Sequence, residues 1–227
     1  MGKENISRRE ALKRMSLAAI GTGAALTGIP ALNAQEKKGK TMKVLLINGS
    51  AHKKGTTWTA LTEIAAQLKK EGVGSSIFQI GNKAVHGCIG CYRCKETGAC
   101  VFQDDIMPKM LEEMQKADGI IIGSPVYYAG PSGALCAVLD RLFFSGGKSL
   151  QQKPAAAIVV CRRGGATASF DRLNKYFTIS QMPVVSSQYW NMCYARVPED
   201  LQKDQEGLQI MRTLAVNMAK MLKNMQK

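Results

Sequence analysis

The chain has 227 residues and carries 31 Lys and Arg against 17 Asp and Glu, which gives a formal charge of +14 at pH 7. With 45% hydrophobic residues it is long enough to bury the core of a full domain. The lysines are scattered and do not alternate with aromatic residues, so the composition argues against nucleic acid and favours a solvated basic surface, with a modest attraction for anionic ligands or acidic redox partners.

Residues 1–34 are predicted to form an export signal. A basic stretch contains Arg8-Arg9, a mildly hydrophobic run extends from Met15 to Ile29, and small residues reach Ala34. This layout is that of a secretory signal, and the S-R-R-x-x-L-K context resembles a Tat signal. We therefore expect a protein that is periplasmic or otherwise exported through Tat, with no stable membrane span after cleavage. An uncleaved anchor and a basic amphipathic helix are the alternatives, and residues 35–41 are interpreted as a polar linker.

From residue 42 onward, strand and helix patterns alternate. Short apolar runs predict strands at Val44–Ile47, Ser75–Ile80, Gly119–Gly123, Ala155–Cys161 and near Pro183–Ser187. Apolar residues at helical spacing predict helices at Thr57–Lys70, Ile106–Ala117, Ser132–Phe144, Thr167–Phe177 and Leu201–Leu222. The alternation indicates one parallel sheet with helices on both faces. Such sheets bind ligands beyond the carboxyl ends of their strands.

The loop after the first strand, Asn48–Trp58, is rich in small and hydroxyl residues and opens a helix. Backbone N–H groups and the helix dipole in such a turn favour an anion, and Ser50, Thr56 and Thr57 add hydroxyl donors. The loop matches neither the P-loop nor the G-x-G-x-x-G pattern, so one phosphate monoester fits it best. The alternative is an ordinary helix capped by Thr56 or Thr57, with an exposed His52.

Two further loops follow predicted strands at the same edge. Gly123–Gly133 contains two Gly/Pro pairs that position Tyr127 and Tyr128 where they can border a flat aromatic ring. Arg162–Gly165 adds two cations and a flexible turn. Cys161, at the end of its strand, is interpreted as a buried thiol rather than a redox-active one.

Four of the seven cysteines have the spacing C-x2-C-x2-C-x5-C, at Cys88, Cys91, Cys94 and Cys100. Three close thiolates and a fourth after a short loop suit an iron–sulfur cluster better than mononuclear zinc. Zinc, a disulfide pair and reduced thiols remain alternatives on the spacing. The loop follows the second strand, so we expect it beside the ligand at the carboxyl edge. Asp104-Asp105 is predicted to cap the next helix, and Cys136 to lie in the core.

Three segments resemble the flavodoxin-like NAD(P)H-dependent FMN reductases and the iron–sulfur flavoproteins of that group. Lys43–Trp58 is similar to their N-G-S-P-R-x-x-G-N-T opening, although Ala51, His52 and Thr56 replace the usual Pro, Arg and Asn. Gly123–Arg141 is similar to G-S-P-x-Y-x-x-x-x-S-G-x-L-K-x-x-x-D-R. Cys88–Asp105 is similar to C-x-G-C-x-x-C-x-x-x-G-x-C-x-x-x-D-D.

The resemblance implies a flavodoxin-like three-layer sandwich with a five-stranded parallel sheet over residues 42–227. It also implies FMN, held at the phosphate by Ser50, His52, Thr56, Thr57 and Trp58, and at the ring by Pro125, Val126, Tyr127, Tyr128 and Gly130, with Arg162 and Gly164 nearby. It further implies a [4Fe–4S] cluster on the four cysteines, NAD(P)H as donor, and a homodimer or higher homo-oligomer.

These features together predict an FMN-dependent oxidoreductase that passes hydride or electrons through the flavin, with the cluster as a relay. The residues form no acid–base or nucleophilic pattern, so the chemistry belongs to the cofactor. Export favours a quinol or a redox protein as donor, because pyridine nucleotides are cytoplasmic. The alternative is a non-enzymatic flavodoxin-type carrier whose cysteine loop is a zinc or disulfide staple.

Overall fold

A computed structural model describes residues 41–226 of the chain. The predicted export signal lies outside the described residues, as does most of the predicted linker. Within residues 41–226, no helix combines the length and the hydrophobicity that a membrane span requires.

The described region consists of six strands and six α-helices. The strands are β1 Lys43–Asn48, β2 Gly74–Gln79, β3 Gly119–Tyr127, β4 Gly130–Pro131, β5 Ala155–Cys161 and β6 Met192–Tyr194. The helices are α1 Thr56–Lys70, α2 Arg93–Thr97, α3 Met107–Lys116, α4 Gly133–Gly146, α5 Ala166–Ile179 and α6 Gln205–Met225. Two 3₁₀ turns, Gly147–Leu150 and Pro198–Lys203, precede β5 and α6.

Five strands form a parallel sheet in the order β2-β1-β3-β5-β6, and the short β4 pairs antiparallel with the end of β3. This is the flavodoxin-like order, so the predicted fold is confirmed. The strand order reverses between β1 and β3. Ligands bind in the crevice that opens at this point, beyond the carboxyl ends of the strands.

Alternating side chains of the central strands divide the core into two layers. Leu45 and Ile47 of β1 pack with α3, α4 and α5, whereas Val44 and Leu46 pack with α1 and α6 on the opposite face. All four side chains are at most 2% exposed. Each contributes about 1.5–3 kcal/mol by burial, so both faces hold the strand ends firmly at the ligand edge.

The predicted position of the fifth strand is wrong. Residues 183–187 contribute one isolated bridge, between Val184 and Ala155, and the strand that pairs with β5 is Met192–Tyr194. Pro183 lacks an N–H, and farther along β5 the side-chain amide of Asn191 bonds the carbonyl oxygen of Ala157 at 3.1 Å. The Asn191 amide takes the place of a backbone N–H donor, and regular strand pairing with β5 begins at the next residue, Met192.

The predicted C-terminal helix is divided at Asp204. A 3₁₀ turn ends at Lys203, and α6 begins at Gln205 with the Asp204 carboxylate accepting the Gly207 N–H at 3.0 Å. An Asp at this position bonds a free amide of the first turn, which favours a new helix start.

Candidate functional site: a cationic cleft and a cysteine loop

The loop after β1 is drawn tightly against β3 and α4. Gly49 donates its N–H to the Gly123 carbonyl oxygen at 2.8 Å, and the Ser132 hydroxyl donates to the Gly49 carbonyl oxygen at 2.6 Å. A β-carbon at residue 49 would lie 2.5 Å from Leu135 Cδ2 and 2.7 Å from the Gly123 oxygen. Glycine is therefore required for this close approach.

Side-chain amides shape the same loop. Asn48 Nδ2 donates to Gln79 Oε1, and Gln79 Nε2 donates to the Ser50 carbonyl oxygen, both at 2.5 Å. The Ser50 N–H donates to Asn48 Oδ1 at 3.2 Å, and the Ser50 Oγ accepts the His52 N–H at 3.1 Å. The Ser50 hydroxyl proton is not used in these bonds, so it can be donated to a ligand.

The first turn of α1 presents free donors. Gly55 is the N-cap residue and no side chain caps the helix, so the alternative of a helix capped by Thr56 or Thr57 is excluded. The first intrahelical bond runs from Thr59 N–H to the Gly55 carbonyl oxygen, which leaves the N–H groups of residues 56–58 outside the helical ladder. Thr57 is fully buried and its hydroxyl has no hydrogen-bond partner. This donor set suits an anion.

The β3–β4 hairpin carries a strained turn at the same edge. Tyr128 and Ala129 have φ angles of 51° and 58°, a left-handed conformation in which non-glycine residues are uncommon. Gly165, itself at φ 87°, lies against this turn, and a β-carbon on it would approach Ala129 Cα to 2.6 Å. The loops after β3 and β5 are therefore packed against each other.

These loops enclose a cleft of about 650 Å³. Lys53, Lys54, Arg162 and Arg196 line it together with His52, and no carboxylate lines it. None of these four cations takes part in an ion pair within residues 41–226. The volume falls within the range of small-molecule sites, and unpaired cations attract an anionic ligand.

The structure places the predicted cofactor residues in two groups. Seven line the cleft: Ser50, His52, Thr56, Pro125, Val126, Tyr127 and Arg162. The other five lie outside its lining: Thr57, Trp58, Tyr128, Gly130 and Gly164. Thr57 is buried behind the first turn of α1, whereas Tyr128 projects fully into solvent from the strained turn. Of the two adjacent tyrosines, only Tyr127 borders the cleft.

Sequence reasoning missed one wall of the cleft. Residues 195–198, which follow β6, line it together with Cys161 and Val160 at the end of β5. The loop was overlooked because the fifth strand was expected at residues 183–187. Cys161 is buried, as predicted, and burial raises the pKa of its thiol. Cys136 is only half-buried and lies outside the core, contrary to the prediction.

The four clustered cysteines line one pocket. Its other walls are largely aromatic and aliphatic, from Ile89, Tyr92, Val101, Phe102 and Phe144. All four thiols are free; Cys88 and Cys91 are exposed, whereas Cys94 and Cys100 are half-buried. Within residues 41–226, no three His, Cys, Asp or Glu side chains are grouped as ligands of a single metal ion. The pocket as a whole has a volume of about 20 Å³, which is room for one water molecule.

A buried ion pair supports the cysteine loop. Arg141 of α4 is 1% exposed, and its guanidinium contacts the carboxylate of Asp105. Burial on its own raises the pKa of Asp105. Hydrogen bonds from Met107 N–H, Arg141 and His86 N–H, together with the charge of Arg141, outweigh it and hold that pKa below its ordinary value. The N-cap residue of α3 is Ile106 and not the predicted Asp104-Asp105, but Asp105, one residue earlier, accepts the Met107 N–H at 3.0 Å and so bonds the first turn of the helix.

The cleft and the cysteine pocket are separate sites. No residue lines both of them, so the expectation that the cysteine loop lies beside the cleft is wrong. Helix α4 connects them: Ser132 at its N-cap contacts the loop after β1, whereas Arg141 and Phe144 border the cysteines. At a rise of about 1.5 Å per residue, Arg141 lies about 13 Å along the axis from Ser132.

The fold and cleft define a flavodoxin-like protein with a cationic cleft at the β1/β3 switch point. The sequence model of the family described as NADPH-dependent FMN reductase matches residues 42–196. The chain belongs to this family and is an FMN-binding flavoprotein.

Individual relatives agree with this assignment. An iron–sulfur flavoprotein of Methanocaldococcus jannaschii is 33% identical over 194 residues, which cover 82% of this chain and 100% of the relative. An iron–sulfur flavoprotein of Methanosarcina thermophila is 30% identical over 193 residues, or 82% of this chain and 98% of the relative.

Solved structures show the same fold at low identity. RosB with bound 8-demethyl-8-formylriboflavin-5'-phosphate has a TM-score of 0.67 at 16% identity, covering 82% of this chain and 81% of that one. An apo NADH:FMN oxidoreductase has a TM-score of 0.60 at 16% identity, covering 80% and 90%.

Proposed function

We propose that the protein is an FMN-dependent oxidoreductase whose flavin occupies the cationic cleft. The observation that carries the proposal is the first turn of α1, where free N–H groups and Thr56 meet a cleft lined by unpaired cations, with the unpartnered Thr57 hydroxyl on the buried side of the same turn. A phosphate monoester satisfies these donors without a Gly-rich pyrophosphate loop. Bound FMN supplies electron and hydride transfer, and the protein positions and tunes it.

Named residues have distinct roles toward the cofactor. Ser50 and Thr56 donate hydroxyl protons to the phosphate from the cleft lining, and Lys53 and Lys54 neutralise its charge. The buried Thr57 hydroxyl, which has no partner in the protein, donates from the inner side of the turn. The end of β3, Pro125–Tyr127, borders the flavin ring. Pairing with β4 in the rigid hairpin holds this strand end in place. Preorganised donors of this kind bind without reordering the loop, which lowers the cost of binding.

The proposed donor is NADPH. The loop after β1 serves the phosphate of FMN. Arg162 and Arg196 line both the cleft and an adjoining groove of about 360 Å³, which Lys203, Asp200 and Asp204 also line. The two arginines suit a second anionic molecule. The name of the matching family points to the same donor.

Anaerobic reduction of the FMN-loaded protein tests this donor. We expect NADPH to bleach the flavin absorption rapidly, and turnover with a quinone or nitro-compound to follow, which a carrier without its partner would not give. The predicted export signal favours a quinol or redox-protein donor instead. Bleaching by a quinol but not by NADPH would refute the nucleotide donor and leave the flavin site intact.

We further propose that Cys88, Cys91, Cys94 and Cys100 bind a [4Fe–4S] cluster. The pocket offers four thiols and no carboxylate, and relatives of similar length are named iron–sulfur flavoproteins. Iron and acid-labile sulfide in protein prepared without oxygen support the cluster, whereas zinc or disulfides refute it.

A further inference from the structure

Arg141 makes contacts that exceed those of a simple ion pair. It is the largest fully buried side chain in residues 41–226, and it reaches four acceptors of the cysteine loop. Its Nε donates to Cys100 Sγ at 3.3 Å, Nη1 to the His86 carbonyl oxygen at 3.2 Å, and Nη2 to the Phe102 carbonyl oxygen at 2.6 Å. The fourth acceptor is the Asp105 carboxylate.

These acceptors flank the cysteines on both sides. His86 precedes Cys88, whereas Phe102 and Asp105 follow Cys100, so one guanidinium joins the entry and the exit of the loop. The rings of His86 and Phe102 also stack, with centroids 4.1 Å apart. The ends of an otherwise exposed loop are therefore fixed to α4.

The guanidinium orientation is itself fixed. The carboxylate of Asp105 accepts the N–H groups of His86 and Met107, at 3.1 and 3.0 Å, in addition to Arg141. It cannot rotate without breaking these bonds. Asp105 also balances the charge of Arg141, so Arg141 does not need the thiolate of Cys100 as a counter-ion. The geometry of the network therefore directs the Arg141 Nε–H at the Cys100 sulfur.

We propose that Arg141 is a positioning residue that fixes the Cys100 thiolate and raises the reduction potential of the cluster. This inference rests on the cluster proposed above. An N–H bond to a thiolate is charge-assisted, and it stabilises the reduced cluster most because that form carries the most negative charge. Outer-sphere donors of this type are a main determinant of cluster potentials.

Two variants with opposite expected effects test the proposal. Arg141→Lys keeps a positive charge but loses the planar fork that directs Nε to sulfur. The reduction potential of the cluster should become more negative by at least about 59 mV. For one electron, this shift is a tenfold change in the equilibrium distribution of electrons between FMN and the cluster. Asp105→Asn keeps the guanidinium but removes the balancing charge, so the potential should become more positive.

The measurement is anaerobic potentiometry of the loaded full chain, with iron and FMN content determined in parallel. Arg172→Lys is the matched control, because Arg172 pairs with Asp140 at 3.2 Å on a half-exposed surface, and the cysteine it interacts with is Cys136, which lies outside the cysteine loop. Its potential should equal that of the wild type.

The outcomes separate the proposal of a cluster from the proposal that Arg141 raises its reduction potential. Wild-type protein without iron would refute the cluster and this inference with it. Loaded wild type with an unchanged potential in Arg141→Lys would refute the inference alone. If Arg141→Lys does not fold, Asp105→Asn decides: a shift to more positive values supports the role of Arg141, and an unchanged or more negative value overturns it.

Discussion

The cleft and the cysteine loop position their ligating groups in different ways. In the cleft, main-chain donors are set by close contacts such as Gly49 to Gly123 and Gly165 to Ala129. In the cysteine loop, the groups are side chains on an exposed segment that one buried guanidinium, Arg141, holds together. The first arrangement distributes its stability over many small contacts, whereas the second concentrates it in one network. The two should therefore respond differently to single substitutions.

The largest expected effect is that of Asp105→Ala. Removing one partner of a buried ion pair leaves an uncompensated charge and costs about 3–5 kcal/mol of unfolding free energy. Urea denaturation measures this loss, and FMN affinity of the folded protein should not change, because no residue lines both sites. A loss below about 1 kcal/mol, the range of exposed pairs, would show that the network does not support the loop.

The same carboxyl predicts a pH dependence. The pKa of Asp105 is lowered in the folded protein, so its stabilisation is present above the unfolded pKa of about 3.9 and is lost as pH falls through the folded value. The unfolding free energy of the wild type should therefore fall below about pH 4 more steeply than that of Asp105→Asn. The pKa of Glu112 is also lowered, by its exposed pair with Lys116, but water screens that pair. Glu112→Gln is therefore the control and should change the slope less than Asp105→Asn does.

In the cleft, Thr57→Val should weaken FMN binding with little change in fold stability. The substitution is nearly isosteric and removes a hydroxyl that has no partner in the protein. A hydrogen bond to a charged group is worth about 1.5–3 kcal/mol, or at least tenfold in affinity. Fluorescence titration of FMN measures it. Thr62→Val on the same helix is the control, and equal losses in both variants would contradict a phosphate role for Thr57.

Gly49→Ala should affect stability and binding together. The new methyl group would meet the Gly123 carbonyl oxygen and Leu135, and the backbone cannot yield without opening the β1–β3 contact. We expect a cost of about 1–3 kcal/mol and weaker FMN binding. Gly133→Ala adds the same methyl group where nothing lies within 4 Å. Equal stability and equal FMN affinity in the two variants would show that the close approach of Gly49 to β3 and α4 is not important for either property.

The smallest expected effect is that of Ala129→Gly, which should stabilise the protein by a few tenths to about 1 kcal/mol. A left-handed residue with a β-carbon is strained by about 1–2 kcal/mol, and glycine removes this strain at some entropic cost. Ala65→Gly, within helix α1, should instead destabilise by about 1 kcal/mol. Thermal denaturation measures the stability of both variants. A loss of stability in Ala129→Gly would contradict the claim that the turn is strained at Ala129.

Local patterns predicted most of the fold and the first wall of the cleft. The apolar run of β1 and the small residues after it are contiguous, so periodicity and turn chemistry identify them. The three-residue β6 has no alternation to recognise, and its pairing with β5 depends on Asn191 acting as a donor. The neighbouring wall at residues 195–198 was missed for that reason.

The contacts that support the cysteine loop could not be predicted from the sequence, for a different reason. Arg141 and Asp105 are 36 residues apart on different elements, and no spacing rule connects them. Asp105 was recognised only as a helix-start residue, because that contact is local. The path of the loop along α4, away from the cleft, is likewise a tertiary contact that strand order does not reveal.

The most direct test of two separate sites is the FMN and iron content of protein reconstituted without oxygen, in the wild type, Thr57→Val and Cys91→Ser. We expect the wild type to hold both, Thr57→Val to lose FMN at limiting cofactor while keeping iron, and Cys91→Ser to lose iron while keeping FMN. A wild type that binds no FMN, or variants that lose both cofactors together, would contradict this account.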